Sequence, residues 1–317
     1  MSPESDLVSP ESDVVSPESD VESDVGSDRA ARPEDQLDLL DTEQAVRVVL
    51  AGQAGVAAVV QAAHRQLADA VELLVGRFEA GGRVLLLGAG TSGRLAVQEA
   101  VEVPGTYGVP ADRFQARVAG GGPGQLVGAD QAEDDAELGL ADLAELTAGP
   151  ADVLIAVAAS GSTPYTCAAA RRARELGLGL ITVTNQPGSP LAELADVAIE
   201  LPVGAEVVTG STRLAAGTAQ KLALNTLTTT MMIRLGRVHG RQMIDVLPAN
   251  DKLRHRVAVA VAAAADAEPE QAWQALRRCD WNARAALVHL CTGRSPAESA
   301  ELAAAHRTVR EAIAAAG

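Results

Sequence analysis

A chain of 317 residues has room for one large domain and a small one. Aromatic residues make up only 2%, so any core must be built from Leu, Val, Ile and Ala. The net charge of -16 argues against nucleic acid as a partner, and three cysteines without metal-ligand spacing predict neither a disulfide framework nor a zinc site, as expected of a reduced cytoplasm.

The chain opens on a degenerate acidic repeat. Residues 2–28 read SPESDLV, SPESDVV, SPESDVESDV, with nine carboxylates and no base. Such a segment repels itself and lacks apolar periodicity, so residues 1–31 are expected to be a disordered tail. It lacks the basic start and apolar run of a signal peptide. No segment is expected to reach the roughly 20 apolar residues of a membrane span. Residues 32–80 carry helical periodicity, notably Val56, Val59, Val60, Ala63, Leu67, Val71, Leu74 and Val75, and predict one or two helices. His64 stands alone there and reads as a surface or core histidine.

The stretch from Arg83 to Thr106 is the most informative. An apolar run, Val84 to Leu87, meets a glycine-rich turn, Gly88 to Gly93, and then an amphipathic helix with Glu99 and Glu102. A helix starting over such a turn offers an anion site, because its first N–H groups lack partners and its dipole favours negative charge. Gly88-x-Gly90-x-x-Gly93 matches the dinucleotide fingerprint, yet the second strand runs into Gly120-Gly-Gly122 with no acid to hold a ribose. A nucleotide-hydrolysing loop needs Lys and then Ser or Thr after its last glycine; this chain has Arg94 and Leu95. What remains is a turn with two hydroxyls, Thr91 and Ser92, suited to a small phosphate group.

Apolar strands are predicted at Val84–Leu87, Phe114–Ala119, Val153–Ala158, Leu180–Thr184 and Val197–Leu201, separated by helical stretches. This alternation predicts an α/β fold, a doubly wound parallel five-stranded sheet with flanking helices. Ligands on such sheets bind beyond the carboxyl ends of the strands. A second hydroxyl- and glycine-bearing loop, Ala158 to Thr163, lies at that same edge, with Pro164 at the start of the next helix. Two such turns on one edge suggest a phosphorylated ligand, although Ser and Thr also cap helices for structural reasons. From Glu206 to Gly236 the chain reads as a turn and a long helix. From Asn250 it is helical: Asn250–Ala265, Pro269–Cys279, Asn282–Cys291 and Pro296–Ala305. Trp273 and Trp281 are expected to fill a small core there.

The second loop resembles the phosphate loop of sugar isomerase (SIS) domains. Beyond it, GAGTSGRL, EVPGTYGVP, AEDD at 132–135, AASGSTPY, NQPGSPLAELAD, VGAEVVTGSTRLAAGTAQKLALN and NDKLR are similar to the N-acetylmuramic acid 6-phosphate etherases, over roughly Glu79 to Arg256. The glucokinase regulatory protein is a non-catalytic relative of that family. The resemblance implies a SIS domain over residues 81–248, a C-terminal helical region over 249–317 with a three-helix module, a homodimer, and a phosphorylated amino sugar as ligand. It implies a lyase in cell-wall amino-sugar recycling that splits off D-lactate and leaves N-acetylglucosamine 6-phosphate, with neither redox cofactor nor metal. The family's catalytic glutamates fall on Glu102 and Glu133. Thr91, Ser92, Ser160 and Thr163 match phosphate-loop positions, and Gly90, Gly161, Glu206, Ser211 and Lys221 are further sugar-site candidates. Read without the resemblance, Glu133 is one of a solvated acidic run and Glu102 a polar helix residue; Lys221 is equally a surface ion-pair partner. Departures are also visible. Ser162 stands where these etherases carry Arg, Ala215 where they carry Lys, and Pro104-Gly105 replaces Pro-Pro. The family's N-terminal threonine–glutamate–asparagine segment has no clear counterpart between Arg32 and Thr42. Rival readings are a non-catalytic sugar-phosphate regulator and a sugar-phosphate isomerase.

Overall fold

The computed structural model describes residues 36–122, 130–248 and 250–317; the acidic repeat lies outside them. Five strands, β1 (Val84–Gly88), β2 (Phe114–Val118), β3 (Val153–Ala158), β4 (Gly179–Thr184) and β5 (Val197–Glu200), pair in parallel in the order β2-β1-β3-β4-β5. Each agrees with the apolar runs to within a residue or so. Every residue of β1, β3 and β4 is buried, as expected of strands covered on both faces.

Alternate residues feed two separate cores. Val84, Leu86, Ile155, Val157, Ile181 and Val183 face helices α2 (Val56–Ala62), α3 (His64–Glu79), α4 (Gly90–Tyr107) and α7 (Ala215–Arg234). Leu85, Leu87, Leu154, Ala156 and Leu180 face α5 (Ala136–Glu145) and α6 (Pro164–Glu175). Each fully buried Leu or Val contributes about 1.5–3 kcal/mol, so the two layers hold the sheet mainly on aliphatic side chains, with Phe78, Tyr107 and Phe114 in the first and Tyr165 in the second. At the opposite edge from the loops, Asp152 fastens β3 to β1. It accepts from the Arg83 amide (2.8 Å), the Arg83 guanidinium (2.7 and 3.2 Å) and the Gly149 amide (3.0 Å).

The N-terminal region has three helical pieces, since α1 (Thr42–Gln53) precedes α2 and α3. The stretch Thr42–Ala62 is long and apolar enough, by length and composition, to cross a membrane, contrary to the expectation that no segment would be. Here it is broken at Ala54–Gly55, and α2 packs on α7 with Val56 and Val60 buried. Within the stretch read as a turn and a long helix, α7 begins at Ala215, where Glu206 caps it: Glu206 Oε2 and Oε1 accept from the Ala215 and Ala216 amides, both at 2.9 Å.

Beyond a short hairpin, β6 (Val238–His239) and β7 (Gln242–Met243), lie α8 (Asp251–Ala265), α9 (Pro269–Arg278), α10 (Ala283–Thr292), α11 (Pro296–Ala305) and α12 (Val309–Ala316). They enclose a third core with Trp273 and Trp281 at its rim, their rings edge to face at 5.2 Å. The segment after Glu268 therefore holds four helices where three were expected.

Candidate active site

In this strand order the chain leaves β1 in one direction and returns through β3 in the other, so the carboxyl ends of β1 and β3 flank a natural crevice. A cavity of about 370 Å³ opens there. The Gly88 turn and the Ala158 loop form two of its walls, and Glu133, Asp134 and Thr212 close the rest.

Two helices aim their N-termini at this space. Helix α4 starts at Gly90, whose positive φ of 53° turns the chain from β1 into the helix. Close approach is needed next: a Cβ on Gly93 would stand 2.3 Å from the Gly88 carbonyl and 2.6 Å from Val118. Helix α6 starts at Pro164 with Thr163 as its N-cap. Neither Ala89 nor Thr163 gives its helix a side-chain cap, so the first-turn N–H groups, in α6 those after Pro164, are left for a ligand anion. Within the second loop, Ser160 Oγ accepts from the Ser162 amide at 3.2 Å and lies 3.5 Å from Thr163 Oγ1. Gly161, with φ at 65°, packs on Ser189, and the Leu191 amide bonds its carbonyl at 2.9 Å. The loop is therefore held from behind while its hydroxyls face the cavity.

The acidic run divides its tasks. Asp135 caps α5 by accepting from the Leu138 amide at 3.0 Å, whereas Glu133 and Asp134, on the preceding 3₁₀ turn, line the cavity. Behind them, the Tyr165 hydroxyl donates to Asp142 at 2.5 Å and ties α6 to α5. Burial pushes the Asp142 carboxyl above its usual range, against the opposing pull of Tyr165 and Arg117, and burial together with Asp142 pushes the Tyr165 hydroxyl up as well.

Gly90, Thr91, Ser92, Glu133, Ser160 and Thr163 thus come together, with Gly161 shaping the loop. The other candidates stand elsewhere. Glu102 is half-exposed on α4, roughly 18 Å down the helix axis from Gly90 at about 1.5 Å per residue. Lys221 lies beside it, 3.6 Å from Glu102 Oε2 and 3.1 Å from Glu99 Oε2. Glu206 is engaged in the α7 cap, and the Ser211 amide closes a turn on the Val208 carbonyl. Ser92 also has a partner that the sequence did not suggest: its hydroxyl donates to Gln220 Oε1 at 2.9 Å, and Gln220 Nε2 donates to Asn185 at 2.9 Å. The cavity lining carries no Lys, Arg or His among the described residues, and Ser162, one of the departures noted above, is part of it. No group of three or more His, Cys, Asp or Glu among the described residues is placed to hold a metal ion.

A parallel sheet with two hydroxyl-bearing loops at its switch point defines a SIS-domain protein. Residues 137–230 match the SIS domain family, and residues 66–173 match the glucokinase regulatory protein N-terminal SIS domain. Among solved structures, a phosphoheptose isomerase from Francisella tularensis aligns with a TM-score of 0.47 and 16% identity, covering 61% of this chain and 100% of that one. Curated relatives are far more similar in sequence. N-acetylmuramic acid 6-phosphate etherase of Rubrobacter xylanophilus is 43% identical, over 88% of this chain and 92% of the relative. That of Symbiobacterium thermophilum is 44% identical over 81% and 86%. The chain belongs to the N-acetylmuramic acid 6-phosphate etherase family.

Proposed function

We propose that this protein is a carbon–oxygen lyase that cleaves the D-lactyl ether of N-acetylmuramic acid 6-phosphate, giving N-acetylglucosamine 6-phosphate and D-lactate in amino-sugar catabolism. The observation that carries this reading is identity above 40% to etherases over more than four fifths of the chain. The cavity suits the chemistry. A phosphate fits against the N-termini of α4 and α6 with Ser160 and Thr163 hydroxyls around it, and Glu133 stands in the same space.

In the reaction the sugar ring opens to an aldehyde, which acidifies the proton on carbon 2. Glu133 takes that proton, and the bond from carbon 3 to the lactyl oxygen breaks. The leaving oxygen takes a proton from a second acid, which we assign to Glu102. Water then adds to the double bond between carbons 2 and 3: hydroxide to carbon 3, a proton to carbon 2. Atoms and charges balance without an oxidant or reductant.

Glu102 lies too far along α4 to serve the cavity of its own chain, so we assign it to the cavity of a second copy. A homodimer is supported by the apolar surface near Glu102: Val101 and Leu222 are exposed, and a groove of about 330 Å³ runs between α2, α3 and α7 along Val60, His64, Leu67 and Leu222. Free cysteines at 167, 279 and 291 favour a cytoplasmic setting.

Lactate release from N-acetylmuramic acid 6-phosphate tests the reading directly. Wild type is expected to turn over, with Glu133→Gln and Glu102→Gln each reduced by about 10²–10⁴-fold, the scale of a lost general acid or base. Phosphosugar binding without lactate would instead favour a regulator, a reading to which the cation-free cavity and the match to a regulatory protein's SIS domain lend support.

A further inference from the structure

Glu99 takes no part in the chemistry above, yet the fold goes to some expense to keep it. Its side chain is 3% exposed, on the face of α4 that packs against α7. Burying a carboxylate costs several kcal/mol unless its oxygens are satisfied, and an apolar pair would pack two helices as well. Both oxygens are satisfied here from α7. Thr228 Oγ1 donates to Oε1 at 2.5 Å, and Lys221 Nζ donates to Oε2 at 3.1 Å. The lysine is the informative partner. A lysine at a helix surface ordinarily sweeps a wide arc on its four-carbon stem. This one is tethered inward, and its ammonium stands 3.6 Å from Glu102 Oε2, while Gln98 Nε2 donates to Glu102 Oε1 at 2.9 Å.

We propose that Glu99 is a positioning residue: through Lys221 it fixes the carboxylate of Glu102 in one orientation. The chain of contacts runs Thr228–Glu99–Lys221–Glu102–Gln98, and only its outer end is exposed to solvent. The proposal rests on the assignment of Glu102 to the reaction. Its physical basis is that a displacement of about 1 Å in a reacting group costs as much as a hundredfold in rate, so a carboxylate on an open helix face gains from a clamp on each oxygen.

Two measurements test it. The first is a kinetic cycle of wild type, Glu99→Gln, Glu102→Gln and the double variant. Glu99→Gln is expected to lower kcat by about ten- to a hundredfold with KM changed less than about twofold. In the Glu102→Gln background the same substitution should cost less than about twofold, because Glu99 acts through Glu102. Independent, multiplying losses would overturn the proposal, and so would an unchanged kcat in Glu99→Gln. Full activity in Glu102→Gln would overturn both this and the assignment of Glu102, whereas loss there alone would leave that assignment standing. Lys221→Met, altered at the solvent end, should reproduce the cycle if Glu99→Gln fails to fold.

The second measurement does not depend on turnover. The Lys221 ammonium should give a slowly exchanging ¹⁵N resonance in wild type and in Glu102→Gln, and lose it in Glu99→Gln. Retention of that resonance in Glu99→Gln would overturn the proposal.

Discussion

The hydroxyl of Ser92 lines the cavity, but its proton goes to Gln220. A sequence can show that a serine opens a helix; it cannot show a partner 128 positions away. That Thr91, Ser160 and Thr163 line one cavity was legible because each of their loops is local, its hydroxyls and glycines lying within a few residues of one another. Glu133 was legible only through the resemblance, since composition alone does not separate it from Asp135, the helix cap. The buried Gln220 is the residue that reasoning from sequence missed most completely. Gln220→Leu strands Ser92 and Asn185 and is expected to cost about 1–3 kcal/mol in urea unfolding. It should also raise KM for the phosphosugar, because the start of α4 loses its anchor on α7. Gly93 sits where no Cβ fits: the Gly88 carbonyl and Val118 are in the way. Gly93→Ala is expected to cost about 1–3 kcal/mol, measured by the same method.

At the scale of elements, strands were read well because burial on both faces leaves unbroken apolar runs. Helix ends were read less well. The start of α7 is set by Glu206, a residue outside the helix, and α12 is short and alanine-rich, although its capping box, Thr308 with Glu311, was there to be found. The clasp between β1 and β3 gives a pH test. Burial pushes the Asp152 carboxyl up, but its bonds from Arg83 and Gly149 outweigh this and hold it below the usual range. A depressed acid stabilises the fold above its unfolded pKa of about 3.9, and that contribution is lost as pH falls through the folded value. Asp152→Asn should therefore be less stable than wild type at pH 7 by about 1–3 kcal/mol. The gap should narrow as urea titrations are carried below about pH 4.

The whole molecule was the least legible level, because assembly depends on surfaces that no periodicity marks. The apolar groove between α2, α3 and α7 and the exposed Val101 and Leu222 lie together only once the helices are packed. If this face joins two copies, sedimentation equilibrium should give twice the chain mass. Leu222→Asp, a charge set into an apolar contact, should give a monomer that has lost most of its lactate release, because each cavity then lacks the Glu102 of the other copy. A monomeric wild type with full turnover would remove the need for a second copy.

Both tryptophans of the chain, Trp273 and Trp281, pack against the C-terminal core, and Trp281 also lines a crevice shared with Gly108 and Leu235. Intrinsic fluorescence is thus an optical probe of that end of the molecule and of its joint with the ends of α4 and α7, while far-ultraviolet circular dichroism sees every helix. The two ends meet through Arg284, which donates to the Gly236 carbonyl and stands 3.7 Å from Asp245, and through the Arg307–Glu79 pair at 3.5 Å. Coincident melting curves would mean that this joint makes the protein one cooperative unit. An emission change at lower temperature would mark the C-terminal helices as a domain that opens on its own, observed without attaching a label.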